Sequence, residues 1–232
     1  MKEIIKRLDN FWYHYKWIVL ITAFFAAAVI IMLVQFFAKD SYDAVILYTG
    51  PELPSANETR DIENAIESVM SEDYDGDGDR KISLNPLFLL TDEQLEDKKY
   101  TVDEEGNTVY INTSEMVNTR QQFTTQIFVG ESLICLLDPN WYELAHAQDA
   151  FLPLSEIFSA VPDCAYDECS LYLKDTEFGQ YFTAMKALPE DTLLCFRRMP
   201  SSSALKNEKK EAERYEFNKR LFKDIVEFSL KK

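Results

Sequence analysis

Between Asp73 and Ser83 the chain reads DYDGDGDRKIS, four aspartates at alternate positions with two glycines among them. Carboxylates spaced in this way suit a hard divalent cation. Calcium takes six to eight oxygens, and glycine lets a short chain turn sharply around the ion. In the pattern D-x-[DN]-x-[DN]-G, Asp73, Asp75, Asp77 and Gly78 hold the first, third, fifth and sixth places. The second half departs from an EF-hand: Arg80 stands two places after the glycine, where an apolar residue belongs, and the twelfth place is Leu84 rather than a glutamate. The expectation is a calcium loop between a helix and a strand, with Asp73, Asp75 and Asp77 as metal ligands and Asp79 as a further one. The competing reading is a solvated acidic turn. Against it stands the mutual repulsion of four carboxylates within seven residues when no cation sits among them. The role expected for calcium is structural, pinning the helix exit to the next strand.

Other chemistry-bearing residues are sparse. His146, with Glu143 and Asp149 close in sequence, has no serine or cysteine nucleophile in a known local motif and reads as a surface or half-buried histidine. Arg197 and Arg198 end an apolar run and could bind an anion, although arginines so placed usually pair with surface carboxylates. Of four cysteines, Cys164 and Cys169 are close enough to close a small loop in an oxidising compartment. Cys135 and Cys195 lie in the apolar runs SLICLLD and TLLCFRR and read as buried thiols. With only His14 and His146 in the chain, a zinc site has few ligands to draw on. No residue set points to catalysis.

The elements that must position the loop begin with an anchor. Ile18 to Ala38, IVLITAFFAAAVIIMLVQFFA, is almost wholly apolar and long enough at about 1.5 Å per residue to cross a hydrocarbon core of roughly 30 Å. It outlasts the apolar core of a signal peptide, continues beyond its small residues, and no cysteine follows to accept a lipid, so an uncleaved anchor is expected over a cleaved signal. The whole chain has 24 basic and 40 acidic residues; four basic and two acidic ones fall in the first 16, which leaves a formal −18 after the apolar run. That asymmetry orients the N-terminus to the cytoplasm, with the aromatic cluster FWYHYKW at the headgroups. So acidic an outer part repels phosphate backbones, which argues against nucleic acid as a partner. Three segments result: 1–17 juxtamembrane and cytoplasmic, 18–38 transmembrane, and 39–232 outside the cell.

The 47% hydrophobic content supplies a core for one outer domain. DAVILYTG reads as a buried strand, and Ser55 or Asn57 caps a helix with Ile62, Ala65, Ile66, Val69 and Met70 along one face. Beyond the aspartates, RKISLNPLFLL reads as a second strand whose Pro86 marks an edge or a break. Residues 91–113 look like a hairpin excursion around EEGN. A helix from Ser114 to about Val129, a strand in ESLICLLDP, and a short helix capped by Asp138 or Asn140 follow. SLYLKDTEF and EDTLLCFRRMP are the remaining strands, and a helix from about Leu205 to Leu230 closes the chain. Alternating strands and helices predict an α/β sandwich with a mixed or mostly parallel sheet.

The stretch FVGESLICLLDPNWYELAHAQDAFLPLSEIF resembles extracellular solute-binding proteins of ABC importers, through Gly130, Asp138, Pro139, Pro153, Leu154 and Glu156; ALPEDTLLCFRRMP is similar to a later strand of those folds. More closely, the FWYHYKW motif, the span and the DYDGDG loop resemble a group of bacterial single-pass membrane proteins whose outer domain is like one lobe of such a binding protein. The resemblance implies one lobe of a type II fold. A complete binding protein has two lobes with its ligand between them, so no ligand-binding residue carries over. The expected function is a membrane-anchored extracellular binding or interaction module, its partner a protein or a small solute. The alternatives are a solute receptor that builds its cleft by dimerising and a hydrolase.

Overall fold

A computed structural model describes residues 2–37, 42–98, 113–130, 132–199 and 208–229. It divides into two compact units, Met1–Ser41 and Tyr42–Lys232. The first unit is one helix, α1 (Lys2–Phe37), about 54 Å long at 1.5 Å per residue. Among the described residues it is the one helix long and apolar enough to cross a membrane, through Trp12–Met32. This window opens before Ile18 because the run from Ile18 onward is apolar enough to absorb the polar ring atoms of Trp12–Trp17 and the single charge of Lys16. Trp17, Phe24, Phe25, Ile30 and Met32 are all exposed. An apolar window of this length, with its described side chains largely exposed, is a candidate membrane anchor.

The second unit is built on a five-stranded mixed sheet of order β2-β1-β3-β5-β4. Its strands are β1 (Ala44–Gly50), β2 (Ile82–Phe88), β3 (Ile134–Leu137), β4 (Ser170–Tyr172) and β5 (Leu193–Phe196). β1 runs parallel to β2 and β3, whereas β5 runs antiparallel to β3 and β4. The strand sequences are continuously apolar because both faces are covered. Ile46, Tyr48, Ile134, Leu136, Leu194 and Phe196 point to one apolar cluster, shared with α2 (Ala56–Val69) through Ile62 and Ile66 and with α7 (Glu208–Val226) through Leu221, Phe222 and Ile225. The alternate residues Leu47, Cys135, Leu137, Leu193 and Cys195 point to a second cluster. There they meet Phe123 and Ile127 of α4 (Thr113–Phe128) and Trp141, Tyr142 and Ala145 of α5 (Pro139–His146).

Of the two candidate caps, Ser55 and Asn57, it is Ser55 that opens helix α2. Ser55 accepts from the Glu58 N–H while Glu58 reaches back to the Ser55 N–H, a reciprocal cap. The same helix seals the sheet edge. Glu67 and Glu63 accept the N–H groups of Ile82 and Leu84, each at 3.0 Å, and the next alternate position in β2 is Pro86, which has no N–H. Outward donors that a foreign strand would need are thus taken or missing.

Two expectations are corrected. The start of the hairpin excursion is instead a helix, α3 (Asp92–Lys98), opened by a second reciprocal cap between Thr91 and Gln94; residues 99–112 lie outside the described residues. The strand in SLYLKDTEF stops after Tyr172, because Leu173–Asp175 forms a 3-10 turn and Thr176 then caps α6 (Glu177–Tyr181). The spacing of Cys164 and Cys169 left a bridge open; in the structure all four thiols are free. Cys169 belongs to the cluster on one face of the sheet and Cys164 packs against the cluster on the other, so the loop between them carries the two sulfurs apart. Cys135 and Cys195 are buried thiols, as expected, and face each other across β3 and β5.

Candidate functional site

The aspartate stretch leaves α2 at Met70 and enters β2 at Ile82, so it joins a helix to a strand. Gly76 (φ 74°) and Gly78 (φ 95°) occupy the left-handed region, which glycine enters without strain. The loop winds around its own carboxylates. Asp73 accepts the N–H of Gly76 on one oxygen and of Gly78 on the other, both at 2.8 Å. Asp75 accepts from the Asp77 N–H and Asp77 from the Asp79 N–H, the short-range turns that aspartate side chains favour.

A residue outside the stretch completes the arrangement. Asp43, just before β1 and only 4% exposed, accepts the N–H groups of Tyr74 (2.7 Å) and Asp75 (3.2 Å) on one oxygen and of Lys81 (2.8 Å) on the other. One carboxylate oxygen each from Asp43, Asp73 and Asp75 lie within 4.8 Å of one another, a group that could hold a metal ion. A carboxylate oxygen that accepts one N–H keeps a lone pair for a cation. Of the four ligands expected from the sequence, Asp73 and Asp75 fall in this group, while Asp79 pairs with Lys81 at 2.9 Å on the surface. Asp77, which accepts the Asp79 N–H, lies outside the group. Asp43 carries no sequence signal beyond being a charged residue ahead of an apolar strand. It arrives because the β1–β2 pairing sets Ala44 beside Ile82.

The loop is also tied to α7. Ser71 donates its N–H and its hydroxyl to Asp224, Arg220 pairs with Glu72 at 2.7 Å, and the Tyr74 ring packs on Phe217 with centroids 5.1 Å apart. Whatever holds the loop therefore fixes β1, β2 and α7 together.

The two arginines separate. Arg198 pairs with Asp149 at 3.0 Å and Glu156 at 3.8 Å, the ordinary surface role. Arg197 turns inward, 2% exposed, and donates to the carbonyls of Gln126, Ile127 and Gly130 at the end of α4. It is thus a structural cation at a helix C-terminus, where unsatisfied carbonyls and the dipole favour positive charge.

His146 is half-buried, stacked on the ring of Tyr142 with centroids 5.3 Å apart. The Tyr142 hydroxyl donates to Asp167, which also accepts from the Cys169 N–H and from the Ser170 N–H and hydroxyl. Burial pushes the Asp167 carboxyl up, but these hydrogen bonds outweigh it and hold the group below the usual carboxylate range. A lowered folded-state value stabilises the protein above the unfolded value of about 4, and the contribution is lost as pH falls through the folded value. Tyr142→Phe is therefore expected to cost about 2 kcal/mol at pH 7 and progressively less below about pH 4. Chemical denaturation of parent and variant at both pH values reads the difference; an equal loss at both would show that the ionised carboxylate is not the partner that matters.

Comparison with protein-family models, with curated proteins and with solved structures finds no match for this chain.

Proposed function

We propose that the chain is a membrane-anchored binding module: an α/β sandwich domain held on the outer face of a bacterial membrane by α1, with its N-terminus inside and a structural calcium ion at the aspartate loop. The observation that carries this reading is the group of Asp43, Asp73 and Asp75, one carboxylate ahead of β1 and two on the loop, with an oxygen of each within 4.8 Å of the others. A divalent ion there relieves their repulsion, and an extracellular site of ordinary affinity fills at millimolar calcium. The module is read as non-catalytic. Its partner is a protein or a small solute, and the acidic outer part disfavours nucleic acid.

Calcium titration of the full chain in detergent, by calorimetry with thermal melts, tests the metal. At a hundred times its dissociation constant, calcium adds about 2.7 kcal/mol, which raises the melting temperature by roughly 5 to 10 °C. Asp75→Asn is expected to abolish both the heat and the shift. If parent and variant melt together at millimolar calcium, the loop is an acidic turn and the metal is struck from the proposal.

A second reading, a solute receptor, draws on a cavity of about 550 Å³ lined by Leu173, Lys174, Gln180, Met185, Lys186 and Leu188. Its volume falls in the range of small-molecule sites, and its lining mixes apolar walls with two lysines and Glu190, which pairs with Lys174 at 3.5 Å and leaves Lys186 as the second cation. Retention of a labelled anionic solute by the parent, lost in Lys174→Ala/Lys186→Ala, would favour the receptor over the interaction module.

A further inference from the structure

Two histidines and scattered cysteines offered no zinc pattern in the sequence, yet the fold assembles a mixed set of soft and hard ligands far from the aspartate loop. His146 ends α5, while Glu168 and Cys169 lead into β4. One ligand atom from each of these three residues lies within 4.8 Å of the other two. We propose that His146, Glu168 and Cys169 form a second metal site, for a zinc-type divalent transition ion with an open fourth position.

The donor set argues for that class. Imidazole and thiolate select zinc and its neighbours over calcium or magnesium, and three protein ligands leave one position for water or a substrate atom. The imidazole is already oriented. Its ring stacks on Tyr142, with Nδ1 3.9 Å from Asp167 Oδ2 and Nε2 4.0 Å from Glu168 Oε1. Asp167 cannot swing away, being bound by the Tyr142 hydroxyl, the Cys169 N–H and the Ser170 N–H and hydroxyl. A fixed carboxylate beside one ring nitrogen, with the other turned to the ligands, is how metal-binding histidines are commonly held.

Tetrahedral ligands around zinc stand about 3.5 Å apart, so closure needs a contraction of roughly 1 Å. Glu168 supplies most of it, since its side chain is 77% exposed. Cys169 is 3% exposed, so the ion is closed off from water on the sulfur side. Without a cation, burial and the neighbouring Asp167 and Glu168 carboxylates push its thiol pKa up to about 11. Metal binding exchanges the thiol proton for the metal–sulfur bond and releases that proton to solvent.

The test is titration of the full chain in detergent with cobalt(II), calcium being present in excess to saturate oxygen-only sites. Thiolate ligation produces a sulfur-to-cobalt charge-transfer band in the near ultraviolet, which neither the aspartate loop nor carboxylates alone can give. The expected result is a one-to-one band that zinc displaces, that Cys169→Ser abolishes, and that Glu168→Gln and His146→Ala each shift to at least tenfold higher cobalt. Glu168→Gln alters a surface side chain, so it stays informative if Cys169→Ser fails to fold. No band at stoichiometric cobalt, a band that survives in Cys169→Ser, or one indifferent to both other variants would overturn the proposal.

Discussion

Arg197→Met is expected to lower the stability of the domain by about 4 kcal/mol, a fall of roughly 8 to 16 °C in melting temperature for a domain of this size. The guanidinium is buried and its two terminal nitrogens donate to backbone carbonyls, 3.1 Å to Ile127 and 2.7 Å to Gly130, with Gln126 as the third, while Nε is buried without a partner. Burial pulls its pKa below the ordinary arginine value, which for so basic a group leaves it charged. Methionine fills the volume and removes a buried charge, which by itself would stabilise. What it cannot replace are the donors. Gln126 retains a 3.2 Å bond from the Gly130 N–H, while Ile127 and Gly130 lose the charged donor that Arg197 supplied. Arg197→Lys keeps the charge without the planar fork and should fall between parent and Met. A methionine variant within about 1 kcal/mol of the parent would mean that the end of α4 rehydrates freely.

Asp43→Ala is the second large effect. The carboxylate satisfies three N–H groups, those of Tyr74, Asp75 and Lys81, from a position almost closed to water. Alanine leaves these donors without it, at a cost of about 3 kcal/mol, and removes one of the three carboxylates of the metal group. Two observables should move together: the melting temperature without calcium falls, and the rise on adding calcium disappears. Asp79→Ala is the control. Its carboxylate pairs with Lys81 at the surface, so the loss should stay below about 1 kcal/mol with the calcium response intact. If Asp43→Ala melts lower yet still responds fully to calcium, the ion is held by Asp73 and Asp75 with the loop's own later aspartates, and Asp43 is only a backbone clamp.

Much of the architecture was legible along the chain. The runs in AVILYTG, LICLLD and TLLCF are strands β1, β3 and β5, apolar without alternation because helices bury both faces. Pro86 announced the edge strand that β2 is. Ser55 and Asp138 capped the helices they preceded. The helix at Asp92–Lys98 is also written locally, since T-D-E-Q carries the threonine and glutamine of a reciprocal cap three residues apart, within a polar composition that equally suits a turn.

Partnership across the chain was not legible. Arg197 and Arg198 are adjacent and identical in type, yet one caps α4 and the other meets Asp149, because consecutive residues at the end of a strand point to opposite sides. Cys164 and Cys169 had a plausible spacing for a bridge, and the turn between them delivers them to opposite faces of the sheet. Asp43 meets Asp73 and Asp75 only through the pairing of β1 with β2, and His146 meets Cys169 only because α5 ends beside the approach to β4. The sequence by itself determined the apolar anchor candidate, the strands, most helices and the acidic turn, since each rests on periodicity, caps and charges within a few residues. Only the tertiary structure decided which carboxylates, thiols and cations share a site, because those meetings span from more than 20 to 153 residues and depend on strand pairing and on the side of the sheet each residue faces.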